Sequence, residues 1–303
     1  MALKSEITYE EAKQLVSHDD PEVRKELAAR DDLSPEILYF LAEDKSADVR
    51  KTVAQNARAP RQTHGILARD EDSDVRTGLA EKLSRIAPDL SDDDRDKIRQ
   101  STHEALEILA RDQISVVRQI LSETLKDVAN VSSEVIKRLA MDSEVAVAGP
   151  VLEYSPVLTD DDLIEIVKSG PASASLGAVS RRSGVSEILA DAIVATDDTS
   201  AIADLLGNQT AQIREQTLDD LIEKADNVEL WHQPLVSRPS LPTGAATRLA
   251  RFVAADMLDQ LSARDDLDEE TLDAVKSMVR HRLDSNPKSC NGGTGVDLGI
   301  EPP

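Results

Sequence analysis

The sequence predicts an all-helical chain, an α-solenoid of about ten short two-helix repeats, and three observations carry that expectation. A decapeptide recurs: LAEDKSADVR (41–50) returns 26 residues later as LARDEDSDVR (67–76), with LVSHDDPEVR (15–24) before it and LARDQISVVR (109–118) after it. Apolar residues keep a fixed register to that repeat along nearly the whole chain. No run of alternating, β-branched residues suggests a sheet. Fixed-period self-similarity marks arrays of small helical units.

The register is clearest when each repeat is anchored eight residues before its conserved-looking Leu. The anchors are Ile7, Leu33, Ala59, Ser101, Val131, Leu158, Val185, Ile213, Leu241 and Leu267, separated by 26, 26, 42, 30, 27, 27, 28, 28 and 26 residues. Eight residues past each anchor all ten positions are apolar, from Leu15 to Val275. Five residues past it nine of ten are apolar, and His64 is the exception. Offsets of five, eight and nine place these residues on one helical face. Such a unit is too short to bury that face alone, and stacking neighbours buries it instead.

Each unit opens with a helix-start signal. LSPEIL (33–38), VSSEVI (131–136) and LTDDDL (158–163) put Ser or Thr just before the first helix. That hydroxyl can accept a bond from an otherwise orphan backbone N–H. Pro35 fits the first turn, where a missing donor matters little. A second short helix follows, with Asp20, Ser46 and Asp72 as candidate caps in the first three units. The long interval between Ala59 and Ser101 predicts an insertion near 84–100, where Ser91 and three aspartates could open an extra helix. The Val-Arg pair is lost after Arg118; Val147-Ala148 stand in its place, followed by Gly149-Pro150. We therefore expect repeats with an Asp–Arg ladder over 1–148, further helical repeats over 149–284, and a disordered Gly-, Pro- and Asn-rich tail at 285–303.

Composition narrows the functional classes. Of 303 residues, 40% are apolar but only 2% aromatic, so the core must be Leu, Ile, Val and Ala. With 58 acidic against 35 basic residues the net charge is −23, which opposes nucleic acid and anionic membrane as partners. The single cysteine, Cys290, fits a reducing compartment. The N-terminus lacks the apolar core of a signal peptide, and no stretch is long and apolar enough to span a membrane. The expected location is the cytoplasm.

An Asp followed six residues later by an Arg resembles HEAT-type repeats, in which such side chains form a ladder between units. The residues are Asp44 and Arg50, Asp70 and Arg76, and Asp112 and Arg118, with His18 and Arg24 as a degenerate first member. The compact period and VRKTVAQNARAP (49–60) resemble the leucine-rich-repeat-variant units of bacterial proteins. EYSPVLTDDDLIEIVKSG (153–170) and LVSRPSLPTGAATRLARFV (235–253) resemble the bacterial family called domain of unknown function 2336, found mainly in alphaproteobacteria, over roughly residues 10–284. That resemblance implies a HEAT-like helical fold and brings no reaction and no catalytic residues.

Candidate chemistry is sparse. Arg24, Arg50, Arg76 and Arg118 would form either a basic stripe for an acidic partner or a structural ladder to Asp residues of their own or a neighbouring unit; the ladder is the expectation, because the guanidinium fork matches a carboxylate. The histidines (His18, His64, His103, His232 and His281) show no metal-ligand spacing. The carboxylate runs at Asp160–Asp162 and Glu269–Glu270 suit helix starts rather than acid–base catalysis. Trp231, with His232 beside it, is a candidate partner anchor, although the frame places both in a second helix, where packing explains them as well. No catalytic, metal or cofactor site is expected. The functional expectation is a non-catalytic scaffold or adaptor that binds a protein or peptide. The alternative is a small-ligand sensor or an enzyme using the concave groove.

Overall fold

The computed structural model describes residues 7–86 and 96–285, and every described regular element is a helix. Nine helix pairs follow the predicted frame. They are α1 (Tyr9–Leu15) with α2 (Pro21–Ala28), α3 (Pro35–Leu41) with α4 (Ala47–Gln55), α5 (His64–Leu67) with α6 (Ser73–Ile86), α7 (Asp96–Leu109) with α8 (Ser115–Leu125), and α9 (Ser133–Ala140) with α10 (Val145–Tyr154). Next come α11 (Asp160–Lys168) with α12 (Ser173–Arg181), α13 (Glu187–Val194) with α14 (Thr199–Gly207), α15 (Glu215–Lys224) with α16 (His232–Val236), and α17 (Ala245–Leu249) with α18 (Ala255–Ser262). The tenth unit is represented by one helix, α19 (Glu269–Ser285).

The chain divides into two compact units, Met1–Ala201 with Thr210–Gln212, and Ile202–Gln209 with Ile213–Pro303. In the first, the second helices stack in a row, α2 on α4, α4 on α6, and so on through α12. First helices form a parallel row, seen in α5 on α7, α7 on α9 and α11 on α13. In the second unit the same alternation appears as α15 on α17, α17 on α19, and α16 on α18. Within each unit, helices thus pack on their equivalents one repeat away. This two-layer row is the α-solenoid arrangement.

The register explains the core. Nine of the ten residues at the eighth position, from Leu41 to Val275, are buried, and only Leu15, in the first repeat, is half-exposed. At the fifth position Ala12, Leu38, Leu106, Ile136, Leu163, Ala190, Leu218 and Ala246 are buried, and so is His64. Burying each large aliphatic side chain contributes about 1.5–3 kcal/mol, so every interface between neighbours carries several such contributions. Where α6 meets α4, a Cβ on Gly78 would come within 3.0 Å of the Gln55 side chain. Glycine there lets the two helices approach.

Helix starts follow the sequence in part. Thr159 forms a reciprocal capping box with Asp162, and Asp20 accepts the Glu22 N–H at 2.9 Å. Pro21 and Pro35 occupy first turns as expected. Ser34, Ser46 and Ser132 stand at the cap positions but make no capping bond. At the equivalent position Asp72 does accept the Asp74 N–H, at 2.7 Å.

The expected opening of an extra helix at Ser91 falls outside the described residues. Around it, α6 and α7 are each 14 residues long, twice the length of α1 or α3. Gly149-Pro150 does not interrupt the chain: α10 runs through Pro150, so position 148/149 lies inside a helix. Apart from Ser285, the segment 285–303, with Cys290, also lies outside the described residues.

Candidate functional site

The Asp and Arg of the recurring decapeptide occupy the turn between the two helices of a unit and the first turns of the second helix. Each arginine grips the aspartate of the following unit with two parallel bonds. Arg24 donates through Nε and Nη2 to Asp44 at 2.7 and 2.9 Å, and Arg50 does the same to Asp70 at 2.6 and 2.8 Å. Arg76 pairs with Asp112 across the insertion, and Arg118 pairs with Asp142 at 2.5 and 3.0 Å. The third guanidinium nitrogen, Nη1, turns back to its own unit and donates to the carbonyls of His18, Asp44, Asp70 and Asp112. The same aspartates hold the local turn, since Asp44, Asp70, Asp112 and Asp142 accept the N–H two residues on. One guanidinium therefore closes two successive turns at once.

The ends of the ladder make physical sense. The first repeat departs from the pattern at its aspartate position. His18 stands there, and its Nδ1 accepts the Asp20 N–H at 3.1 Å in place of a carboxylate oxygen. At the far end Asp142 accepts Arg118, while Ala148 occupies the next arginine position.

The charges are well matched. In the Arg50–Asp70 pair only 11% and 6% of the two side chains are exposed, so the pair is shielded from bulk water. Hydrogen bonding to Asp70, opposed by burial, raises the Arg50 pKa. Burial pushes Asp44 up, but the Arg24 bond, the Ser46 N–H and the charges of Arg24 and Arg50 outweigh it and hold the carboxyl below its usual range. Asp142 is lowered against the same burial effect by Arg118 and the Glu144 N–H.

A second recurring polar position lies three residues before the anchor, and the decapeptide comparison does not pick it out. Its side chains cap the second helix of the preceding unit. Asn56 donates to the carbonyls of Ala28 and Arg30 at 2.7 and 2.9 Å. Arg182 donates to those of Leu152 and Ser155, and Arg238 to that of Leu206 at 3.2 Å. Arg264 donates to the carbonyls of Val236 and Arg238 at 2.8 and 2.7 Å while pairing with Asp266. Helix ends leave orphan carbonyls, and these donors satisfy them. The signal is present in the sequence as ARDDL, which occurs at 29–33 and again at 263–267.

Trp231 and His232 are interior residues. A short 3-10 turn, Glu229–Trp231, places them immediately before and at the start of α16, with 4% and 7% exposed. His232 Nε2 lies 2.8 Å from the Ala225 carbonyl, and its ring packs on Phe252. Neither side chain is presented to a partner.

His64 is fully buried with no hydrogen-bond partner for either ring nitrogen among the described residues. Burial, with Lys82 and Arg61 nearby, pushes its pKa down to about 3. Lys82 is also buried, donates to the Ala59 carbonyl at 3.2 Å, and is pushed down to about 8 by burial beside Arg85 and Arg61.

Two surface features lie along the turn edge that carries the ladder. A groove of about 470 Å³ lies against its first rung, lined by His18, Arg24, Phe40, Asp44 and Lys45 among others. Phe40 is 60% exposed there. At the last rung, Ile114, Val116, Met141 and Val145 are exposed on two successive turns. Among the described residues no cluster of three or more His, Cys, Asp or Glu could hold a metal ion, and no helix is long and apolar enough to cross a membrane.

No curated protein matches the chain. Among solved structures, a leucine-rich repeat variant with a novel repetitive structural motif is 16% identical, covering 87% of this chain and 88% of its own, with a TM-score of 0.27. A designed armadillo repeat protein is 14% identical, covering 90% and 99%, with a TM-score of 0.24. Superpositions this loose carry no argument; the helical rows described above rest on the chain's own packing. The family match is narrower than the 10–284 expected from the sequence. Residues 147–291 match the model described as uncharacterised protein conserved in bacteria (DUF2336).

Proposed function

We propose that the chain is a non-catalytic helical-repeat scaffold that binds a protein or peptide in a cytoplasmic regulatory assembly. The observation that carries this reading is the exposure of large aliphatic side chains, Ile114, Val116, Met141 and Val145, on one edge of a chain whose net charge is −23. Contiguous apolar groups on a rigid surface mark interaction sites. The arginines of the same edge are engaged in the ladder, so they hold the surface in shape rather than gripping an acidic ligand. The single cysteine and the acidic charge support the cytoplasmic placement and a partner other than nucleic acid.

Affinity purification of the full chain from native extract, with cross-links mapped, tests the proposal. A stoichiometric partner whose cross-links end on residues 111–146 is the expected result, and no such partner under any growth condition would overturn it. The groove at His18 favours a rival reading, a small-ligand sensor. Specific, saturable thermal stabilisation by a nucleotide or metal ion, abolished by substitution in that groove, would establish it instead.

A further inference from the structure

We infer that the turn edge of the first five repeats docks a basic segment with apolar anchors, laid across the ladder; the inference rests on the scaffold reading and specifies its partner. The apolar anchor point is fixed by the last rung. Arg118 joins the turn at Asp112 to the turn at Asp142, and Ile114, Val116, Met141 and Val145 project from those turns at 42%, 54%, 57% and 36% exposure. The other end holds Phe40 against the His18 turn. Between them six exposed carboxylates outnumber the exposed turn cations Lys45, Arg69 and Arg111. Asp19, Glu22, Glu43, Asp48, Glu71 and Asp74 are all exposed on the turns and helix starts of the first three repeats. The buried ladder aspartates are neutralised by arginine, but these outer carboxylates have only weak or solvent-exposed pairing, such as Glu71 with Arg50 at 3.7 Å and Asp74 with Lys51 at 2.9 Å.

Charge complementarity therefore selects a cationic occupant, and the aliphatic group selects one with apolar side chains at its end. Reach agrees with this. Four rungs separate the His18 turn from the Asp142 turn. At about 10 Å per helix-packing step they span about 40 Å, which is about twelve residues of extended chain.

Panning a random dodecapeptide phage library on the full chain tests this, followed by anisotropy titration of the enriched peptides. The expected peptides carry net positive charge and at least one large aliphatic or aromatic residue. They should bind at least tenfold more weakly to the Val116→Asp/Met141→Asp chain and to the Glu43→Gln/Asp48→Asn/Glu71→Gln chain, both with unchanged melting curves. They should bind normally to Ile188→Asp, which alters an exposed apolar residue away from this edge. Enrichment of acidic or neutral peptides, or binding that survives both edge variants, overturns this inference and leaves the scaffold reading standing. Absence of any enriched peptide overturns both.

Discussion

Between Arg24 and Asp142 a recurring arginine–aspartate ladder ties neighbouring repeats, whereas from Leu152 onward the recurring tie is a guanidinium group that caps carbonyls of the preceding repeat, beside single ion pairs such as Arg181 with Glu153. Both devices solve the same problem, the polar groups left where short helices end between stacked units. They differ in how charge is settled. In the first region every ladder arginine meets a carboxylate, and Asp44 and Asp142 are held below their ordinary pKa. In the second, burial lowers the pKa of Arg182 and of Arg238. Arg264 combines the two devices, with a carboxylate at Asp266 and carbonyls of the preceding repeat. A repeat array can thus change its cross-link chemistry partway along while keeping one apolar register.

The largest effect should come from breaking the ladder. Arg50→Ala leaves Asp70 shielded and unpaired, and should lower unfolding free energy by about 3–4 kcal/mol in urea titrations. In the other region, Arg182→Met should cost about 2 kcal/mol, because it strips donors from the carbonyls of Leu152 and Ser155 without stranding an acid.

Acid separates the regions further. The folded-state pKa of Asp44 and of Asp142 is lowered, so their stabilisation is present above the unfolded value of about 3.9 and is lost as pH falls through the folded value. Capped carbonyls do not titrate there. Hydrogen exchange at pH 3 should therefore show repeats 1–5 opening before the pair of repeats joined by Arg238.

His64 sharpens the comparison from inside the ladder region. Its folded pKa of about 3 lies below the unfolded value of about 6.5, so the unfolded chain takes up the proton first and stability falls between those two pH values. His64→Leu restores the apolar register; it should stabilise the chain by about 1–2 kcal/mol at pH 7, and by more at pH 4. The smallest effect belongs to Lys51→Ala, which removes an exposed pair with Asp74 and should stay within about 0.5 kcal/mol.

The helical rows were legible in the sequence because burial imposes a strict spacing, and nine of ten eighth-position residues are indeed interior. The arginines and most of their aspartates were legible as residue types. Their direction of pairing was not, because an aspartate six residues before an arginine and one in the next repeat look alike in a repeating sequence. Asp142 was hidden because Ala148 replaces the arginine that would have marked its repeat. Position −3 is Asn or Arg in five of the ten units and differs in the rest, so periodicity alone passes over it. Trp231 and His232 read as surface candidates by type, yet the 3-10 turn before α16 rolls both into the core.

A double-mutant cycle on Arg50 and Asp70 tests the central claim, that one repeat holds the next by a guanidinium–carboxylate bond. If it does, the double alanine variant loses little more than either single variant, giving a coupling energy of about 2–3 kcal/mol. Losses that simply add, with coupling below about 0.3 kcal/mol, would contradict it.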